Sequence, residues 1–370
     1  MDLELTDEQR LFYETTERFI DSELPITRTR PLHDDARGYD EKWLRTAAEL
    51  GWFAMLVDEA HGGGSVSGHG VLDAAIVAEL IGRSVQPGPF IPMNVVAATI
   101  NEFGSEAQRA DLLPDIVAAE RVVTWAPYDR NGQWDLGVGL RATRDGDYVV
   151  LDGTRGFVQD ALSADQLLVT ASLDGDPVQL LVPTHTVTVE PLTCLDLTRR
   201  LAHVALDNVR VPGSATIDGD TRSVLERQLQ IAVALASAET VGALDAMFTM
   251  TVAYSKDRIA FGRPIGSFQA LKHVMADVGY YVEGCKAAAV EVARAVDSRS
   301  SDVAEITAMA ASYIGEHATE IAQQCLQVHG GIGYTWEHDL HLYLRRARTN
   351  STLYGEPTWH RERLCEVFER

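Results

Sequence analysis

The chain has 370 residues, 46% of them hydrophobic, and a formal net charge of −22 at neutral pH. That length supports two or three domains and a sizeable buried core. The excess of carboxylates repels phosphate backbones and anionic lipid, so neither nucleic acid nor a membrane surface is an expected partner, although a phosphorylated ligand needs only a few local donors.

The opening stretch MDLELTDEQR is acidic and polar, unlike a basic-then-apolar signal peptide. No apolar run reads as the ~20 residues that cross a bilayer. Cys194, Cys285, Cys325 and Cys365 are far apart and form no C-x-x-C pair. That spacing predicts no metal site and no disulfide framework, and it fits a reducing, cytoplasmic compartment.

The first third reads as helix. Thr6 followed by Asp7, Glu8 and Gln9 has the form of an N-cap with acidic first-turn residues, and Leu11, Phe12, Phe19 and Ile20 recur at helical spacing. A second helix over Trp43–Leu50 stops at Gly51, and a third runs from Val71 to Ile81. Pro87, Pro89 and Pro92 interrupt the next stretch before a short helix over Ala107–Val117. Near Glu120 the texture changes to alternating apolar and polar residues punctuated by Gly and Asp. Strands are predicted over 148–151, 166–170, 178–182, 187–189 and 203–206, antiparallel in a small sandwich or barrel. From about Ser223 the chain is helical again, with long patterns over 225–255, 268–296 and 303–328, as in a bundle. The expected fold class is α+β, mainly α: an N-terminal helical domain (1–119), a central β-domain (120–222) and a C-terminal four-helix bundle (223–370).

Two segments carry chemistry. Arg258-Ile259-Ala260-Phe261-Gly262-Arg263-Pro264-Ile265-Gly266-Ser267-Phe268-Gln269 joins two long helices. Guanidinium groups grip a pyrophosphate bidentately and glycine lets the backbone approach it, while Gln269 is suited to a base edge. Taken alone, the segment also fits an ordinary loop with a solvated arginine. Gln327-Val328-His329-Gly330-Gly331-Ile332-Gly333-Tyr334 ends the third long helix, and a C-cap explains one of its glycines but not three. His329 and His338 read as solvated loop residues rather than metal ligands.

Together, R-x-x-F-G-x-P-I-x-x-F-Q and Q-x-H-G-G-x-G-Y resemble the C-terminal domain of the acyl-CoA dehydrogenase family, and the helix–β–helix order extends the resemblance over the whole chain. The resemblance implies FAD as cofactor, an acyl-CoA substrate, a dimer or tetramer and an electron-transfer protein as acceptor. It implies that Arg258, Phe261, Gln269, Gln327, Gly330 and Gly331 bind FAD, reaching the flavin held by a neighbouring subunit. Family chemistry removes an α-proton with a carboxylate while hydride leaves Cβ for the flavin.

Three departures from the family pattern stand out. The segment that covers the flavin, usually T-E-P-x-x-G-S-D, reads here as Thr124-Trp125-Ala126-Pro127-Tyr128-Asp129-Arg130-Asn131-Gly132, and the next flavin-facing stretch is Gly156–Asp165. The usual base lies in Y-E-G-T; here Leu353-Tyr354-Gly355-Glu356-Pro357-Thr358 puts Tyr354 in its place, with Glu356 two residues later as the candidate catalytic residue. The alternative base position on the first long C-terminal helix, just before an arginine, falls at Ala232, followed by Val233. Glu226-Arg227 lies upstream of it, and Glu239 reads as a buried or interfacial polar contact. The half of the site given to a neighbour is thus intact and the chain's own half is degraded, as in the FAD-completing subunits of heteromeric actinobacterial steroid-degrading acyl-CoA dehydrogenases. The competing expectations are a self-sufficient homotetramer with Glu356 as base and a flavin monooxygenase on the same fold.

Overall fold

A computed structural model describes residues 5–134 and 137–368; residues 1–4 of the polar opening, 135–136 and 369–370 lie outside the described residues. The chain begins with helices α1 (Asp7–Glu23), α2 (Ile26–Thr29), α3 (Glu41–Glu49), α4 (Gly70–Arg83), α5 (Phe90–Phe103) and α6 (Glu106–Val117). Thr6 caps α1 as expected: its hydroxyl accepts from Gln9 N at 3.2 Å, and Gln9 returns a bond to Thr6 N at 3.2 Å. Gly51 follows α3 at φ +85°, where a side chain would be strained.

The prolines do not interrupt the chain as far as predicted. Pro92 falls in the first turn of α5, where a missing N–H removes no helical bond, so a helix buried along Phe90–Ile100 runs on to Phe103.

Seven strands form one sheet: β1 (Val123–Ala126), β2 (Leu140–Asp145), β3 (Tyr148–Gln159), β4 (Gln166–Leu173), β5 (Asp176–Pro183), β6 (Thr188–Pro191) and β7 (Leu201–Pro212). It is mixed rather than wholly antiparallel. One edge of β4 pairs antiparallel with β5; the other pairs parallel with β1 over Gln166–Val169, then parallel with β2 at Ser172–Leu173. Sharing that edge between two strands curls the sheet around its own core of Leu140, Leu151, Val158, Leu167, Val169 and Val204.

Helix α7 (Thr221–Asp257) is the axis of the molecule. Its apolar stretch is long enough to cross a membrane by composition, but 83% of that window is buried by protein, as befits a core helix. It crosses α4 through paired glycines: a Cβ on Gly82 would strike the Glu239 carbonyl, and one on Gly242 would strike the Glu79 carbonyl. A short hairpin of β8 (Ile259–Ala260) and β9 (Arg263–Pro264) leads to α8 (Gln269–Ser298). Helices α9 (Val303–His329), α10 (Leu340–Leu353) and α11 (Pro357–Phe368) complete the chain.

Candidate functional site

The two phosphate-type segments meet at one end of the bundle. Tyr254, one turn before the end of α7, stacks on His329 at the end of α9, with ring centroids 4.4 Å apart and planes at 18°. His329 is therefore buried, not the solvated loop residue expected; its Nδ1 bonds the Cys325 carbonyl at 2.9 Å, and burial lowers its pKa. The stack sets the Arg258 turn beside the glycine turn. Arg258 caps α7, its N–H donating to Tyr254 O at 2.8 Å.

The β8–β9 hairpin turns through Phe261 (φ +52°) and Gly262 (φ +79°), both left-handed as a two-residue turn of this hand requires. A left-handed phenylalanine is uncommon, and this one is 95% exposed. Arg258, Arg263, Gln269, Gln327 and Gly331 are also exposed. Gly330 lies at φ 65°, ψ −144°, a conformation open to glycine, and a Cβ on either Gly330 or Gly331 would meet nothing within 4 Å. Exposed guanidiniums beside two glycines with open space at Cα match the donor set and clearance that the diphosphate half of FAD needs.

The chain's own cleft lies elsewhere, between the sheet and α10–α11. A cleft of about 830 Å³ is lined by Tyr128, Gly132 and Trp134, by Phe157 on β3, and by Leu353, Glu356 and Trp359. Residues of the first two departures noted in the sequence, Tyr128 and Gly132 of one and Leu353, Gly355 and Glu356 of the other, line this cleft. Trp125 stacks on Tyr354 with centroids 6.4 Å apart and planes at 16°, and meets Trp134 edge-on at 5.3 Å. Trp134 in turn reaches Trp359 at 6.4 Å. The sequence pattern sets Tyr354 at the family's carboxylate and Trp125 in its Glu-Pro loop, and the structure shows these two residues in contact. Burial raises the Tyr354 phenol well above its ordinary pKa, which keeps it neutral. Val233, next to Ala232 on α7, and Tyr354 line the same interior cavity of about 30 Å³, while Ala232 itself is fully buried.

The carboxylates singled out in the sequence are occupied or exposed. Glu226 pairs with Arg363 at 2.7 Å, and its neighbour Arg227 pairs with Glu102 at 3.2 Å. Glu356 is exposed at the cleft, immediately before α11, and its carbonyl accepts from His360 N at 3.1 Å.

Glu239 is a buried polar contact: it is ion-paired with both Arg199 and Arg346. Arg346 also holds Asp196 at 2.7 Å and the Gln86 carbonyl at 3.0 Å, while Arg199 bonds Asn350 at 2.8 Å and Gln159 at 2.9 Å. The network ties the α4–α5 loop, the sheet, α7 and α10 together. Burial alone would raise the Asp196 pKa, but Arg346 and Arg199 outweigh it and hold the carboxyl low.

Sequence reasoning missed Asp160. It is buried at φ +53° beside this network, its side chain accepts from Gln159 Nε2 at 3.0 Å, and burial pushes its pKa up to about 6. Its position within the flavin-facing stretch was the available signal.

Comparison with known proteins identifies the family. Residues 6–120 match the family model for the acyl-CoA dehydrogenase N-terminal domain, and residues 222–367 match that for the C-terminal domain. The chain is 31% identical to the acyl-CoA dehydrogenase IpdE2 of Mycolicibacterium smegmatis over 98% of its own length and all of that protein's. Among solved structures, a variant of the Tcur3481–Tcur3483 steroid acyl-CoA dehydrogenase is 26% identical with a TM-score of 0.89, covering 98% of both chains. The ChsE4–ChsE5 complex of Mycobacterium tuberculosis shares the fold, at 24% identity and a TM-score of 0.90, over 100% of this chain and 99% of that one. Matched in both helical domains and along its whole length, this chain belongs to the acyl-CoA dehydrogenase family, a family of FAD-dependent oxidoreductases.

Proposed function

We propose that the chain is the FAD-completing subunit of a hetero-oligomeric acyl-CoA dehydrogenase, which desaturates an acyl-CoA thioester at the α,β position in the cytoplasm. A paralogous catalytic subunit supplies the base and seats the isoalloxazine ring. This chain grips the adenosine-diphosphate half with Arg258, Gln269, Gln327, Gly330 and Gly331, while Phe261 packs across the subunit boundary. The observation that carries the reading is the Trp125–Tyr354 stack, which stands where the family pattern requires a carboxylate. An α-proton beside a thioester is weakly acidic, and a neutral phenol of raised pKa is no base for it.

The likeness to the Tcur3481–Tcur3483 steroid acyl-CoA dehydrogenase and to the ChsE4–ChsE5 complex supports a steroid acyl-CoA as substrate class and a two-chain assembly, and an electron-transfer protein would reoxidise the flavin. FAD, when bound, supplies the hydride acceptor. The test is co-expression with the paralogous subunit: the pair should carry flavin and oxidise acyl-CoA, while this chain alone should purify with little flavin.

One observation favours a second reading, a self-sufficient enzyme with Glu356 as base, because Glu356 lines the cleft. In the active complex Glu356→Gln should leave turnover unchanged if the base is the partner's, and should abolish it with FAD retained if Glu356 is the base.

A further inference from the structure

The β8–β9 hairpin carries charge that the fold does not balance. From Arg258 to Ala276 the sequence has Arg258, Arg263 and Lys272 but no carboxylate, in a chain of net charge −22. Arg258 and Arg263 are both exposed, and neither makes an ion pair among the described residues. The strand register sets them on one face. Ala260 pairs with Arg263, Ile259 with Pro264, and Ile265 N donates to the Arg258 carbonyl at 2.8 Å, so the pairing runs on to an extended Arg258. Side chains alternate along a strand, which puts Arg258, Ala260 and Arg263 on the same side. Arg258 and Arg263 are then diagonal neighbours, about 7–8 Å apart at the backbone. Arg263 is also held in place: its guanidinium lies over the Phe268 ring, 4.1 Å from the centroid, and Phe268 meets Phe261 edge-on at 6.2 Å. Stacking fixes the guanidinium plane and leaves its N–H edge open. Phe268 directly precedes Gln269, so that edge sits at the start of α8. Two like charges held side by side repel, and no carboxylate of the hairpin offsets them. A guanidinium fork bonds one phosphate bidentately, and two forks on one face suit an anion with two adjoining phosphates.

We propose that Arg263 is a second diphosphate-binding residue, which with Arg258 closes a two-arginine clamp on the diphosphate of FAD. The inference rests on the reading that this groove takes the FAD of the complex, a reading that gives the diphosphate Arg258 as its one guanidinium. The clamp accounts for the unpaired charges of the hairpin and for the aromatic stack that holds Arg263 beside Gln269.

The complex of this chain with its paralogous subunit, stripped of flavin, is titrated with FAD at low and high salt, and binding is read from flavin fluorescence. Arg263→Gln should weaken FAD binding about ten- to a hundredfold, as for loss of a charge-assisted hydrogen bond to phosphate. Its affinity should also fall less steeply with salt than that of the wild type, because one screened cation is gone. A residue that acted only through the hairpin's shape would not change the salt dependence. The isolated Arg263→Gln chain should keep its melting temperature, since the side chain is exposed and the substitution relieves a like-charge contact. Arg258→Gln serves as the reference. If Arg258→Gln weakens FAD binding and Arg263→Gln does not, or if Arg263→Gln leaves the salt dependence unchanged, the clamp is refuted while the groove reading stands. If neither substitution weakens binding, the groove reading falls and the clamp with it.

Discussion

Replacing Asp160 with asparagine should stabilise the protein at neutral pH, and the gain should vanish in acid. The arginines beside Asp160 are already matched: Arg346 pairs with Asp196 and Glu239, and Arg199 with Glu239. Asp160 is the surplus carboxyl at the edge of a balanced buried network. Burial therefore pushes its pKa from the usual 3.8 up to about 6, against the pull of the Gln159 amide and of Arg199. The folded protein holds this proton through a range where the unfolded chain has lost it. Its contribution to stability is thus fully present below about pH 4 and is lost as pH rises through 6. At 1.36 kcal/mol per pH unit the loss is about 3 kcal/mol.

Asparagine has no such titration. The unfolding free energy of Asp160→Asn relative to wild type should therefore grow by about 3 kcal/mol between pH 4 and pH 7.5. His360 titrates in the opposite sense over the same window, since burial lowers its pKa to about 4, but it does so in both proteins and cancels in the difference. Urea denaturation of both proteins at four pH values measures the effect. A difference that stays flat with pH would refute the assignment of an uncompensated buried charge to Asp160.

The other predictions concern the network and the FAD groove. Arg346→Met leaves Asp196 and Glu239 short of a buried counter-charge and should cost about 3–5 kcal/mol in urea denaturation; a loss under about 1 kcal/mol would mean the network is dispensable. Gly331→Val has open space at Cα and should leave the melting temperature of the isolated chain unchanged, yet it should lower flavin retention by the complex if the diphosphate lies against that backbone. Equal flavin content in the variant complex would remove Gly331 from the groove. Glu356→Gln is expected to leave turnover of the complex unchanged, measured with an artificial electron acceptor.

Much of the fold could be read from local signals, because they agree with the final packing. The Thr6 cap, the stop at Gly51 and the three long C-terminal helices each follow from patterns a few residues long. α5 was obscured because proline breaks a helix interior but not a first turn, and the sequence does not say which of the two Pro92 occupies. The parallel pairing of β4 with both β1 and β2 depends on which strands share an edge, and alternation along one strand carries no such information.

The candidate site divides along the same line. The FAD segments are contiguous in sequence, so residue type and spacing expose them. The cleft is assembled from Trp125, Trp134, Phe157, Tyr354 and Trp359, far apart in the chain, and each read singly is an ordinary core aromatic. The Tyr254–His329 stack was missed for the same reason, and His329 passed for a loop residue because the glycines after it suggested an earlier helix end.

The visible absorption spectrum tests the central claim most directly, recorded on the chain purified alone and again after co-expression with its paralogous subunit. Tyr354, stacked on Trp125 and proposed to replace the base, predicts a nearly colourless protein alone and a yellow complex that bleaches on addition of acyl-CoA. A chain that purifies alone with one flavin per protomer and is bleached by acyl-CoA would contradict the account.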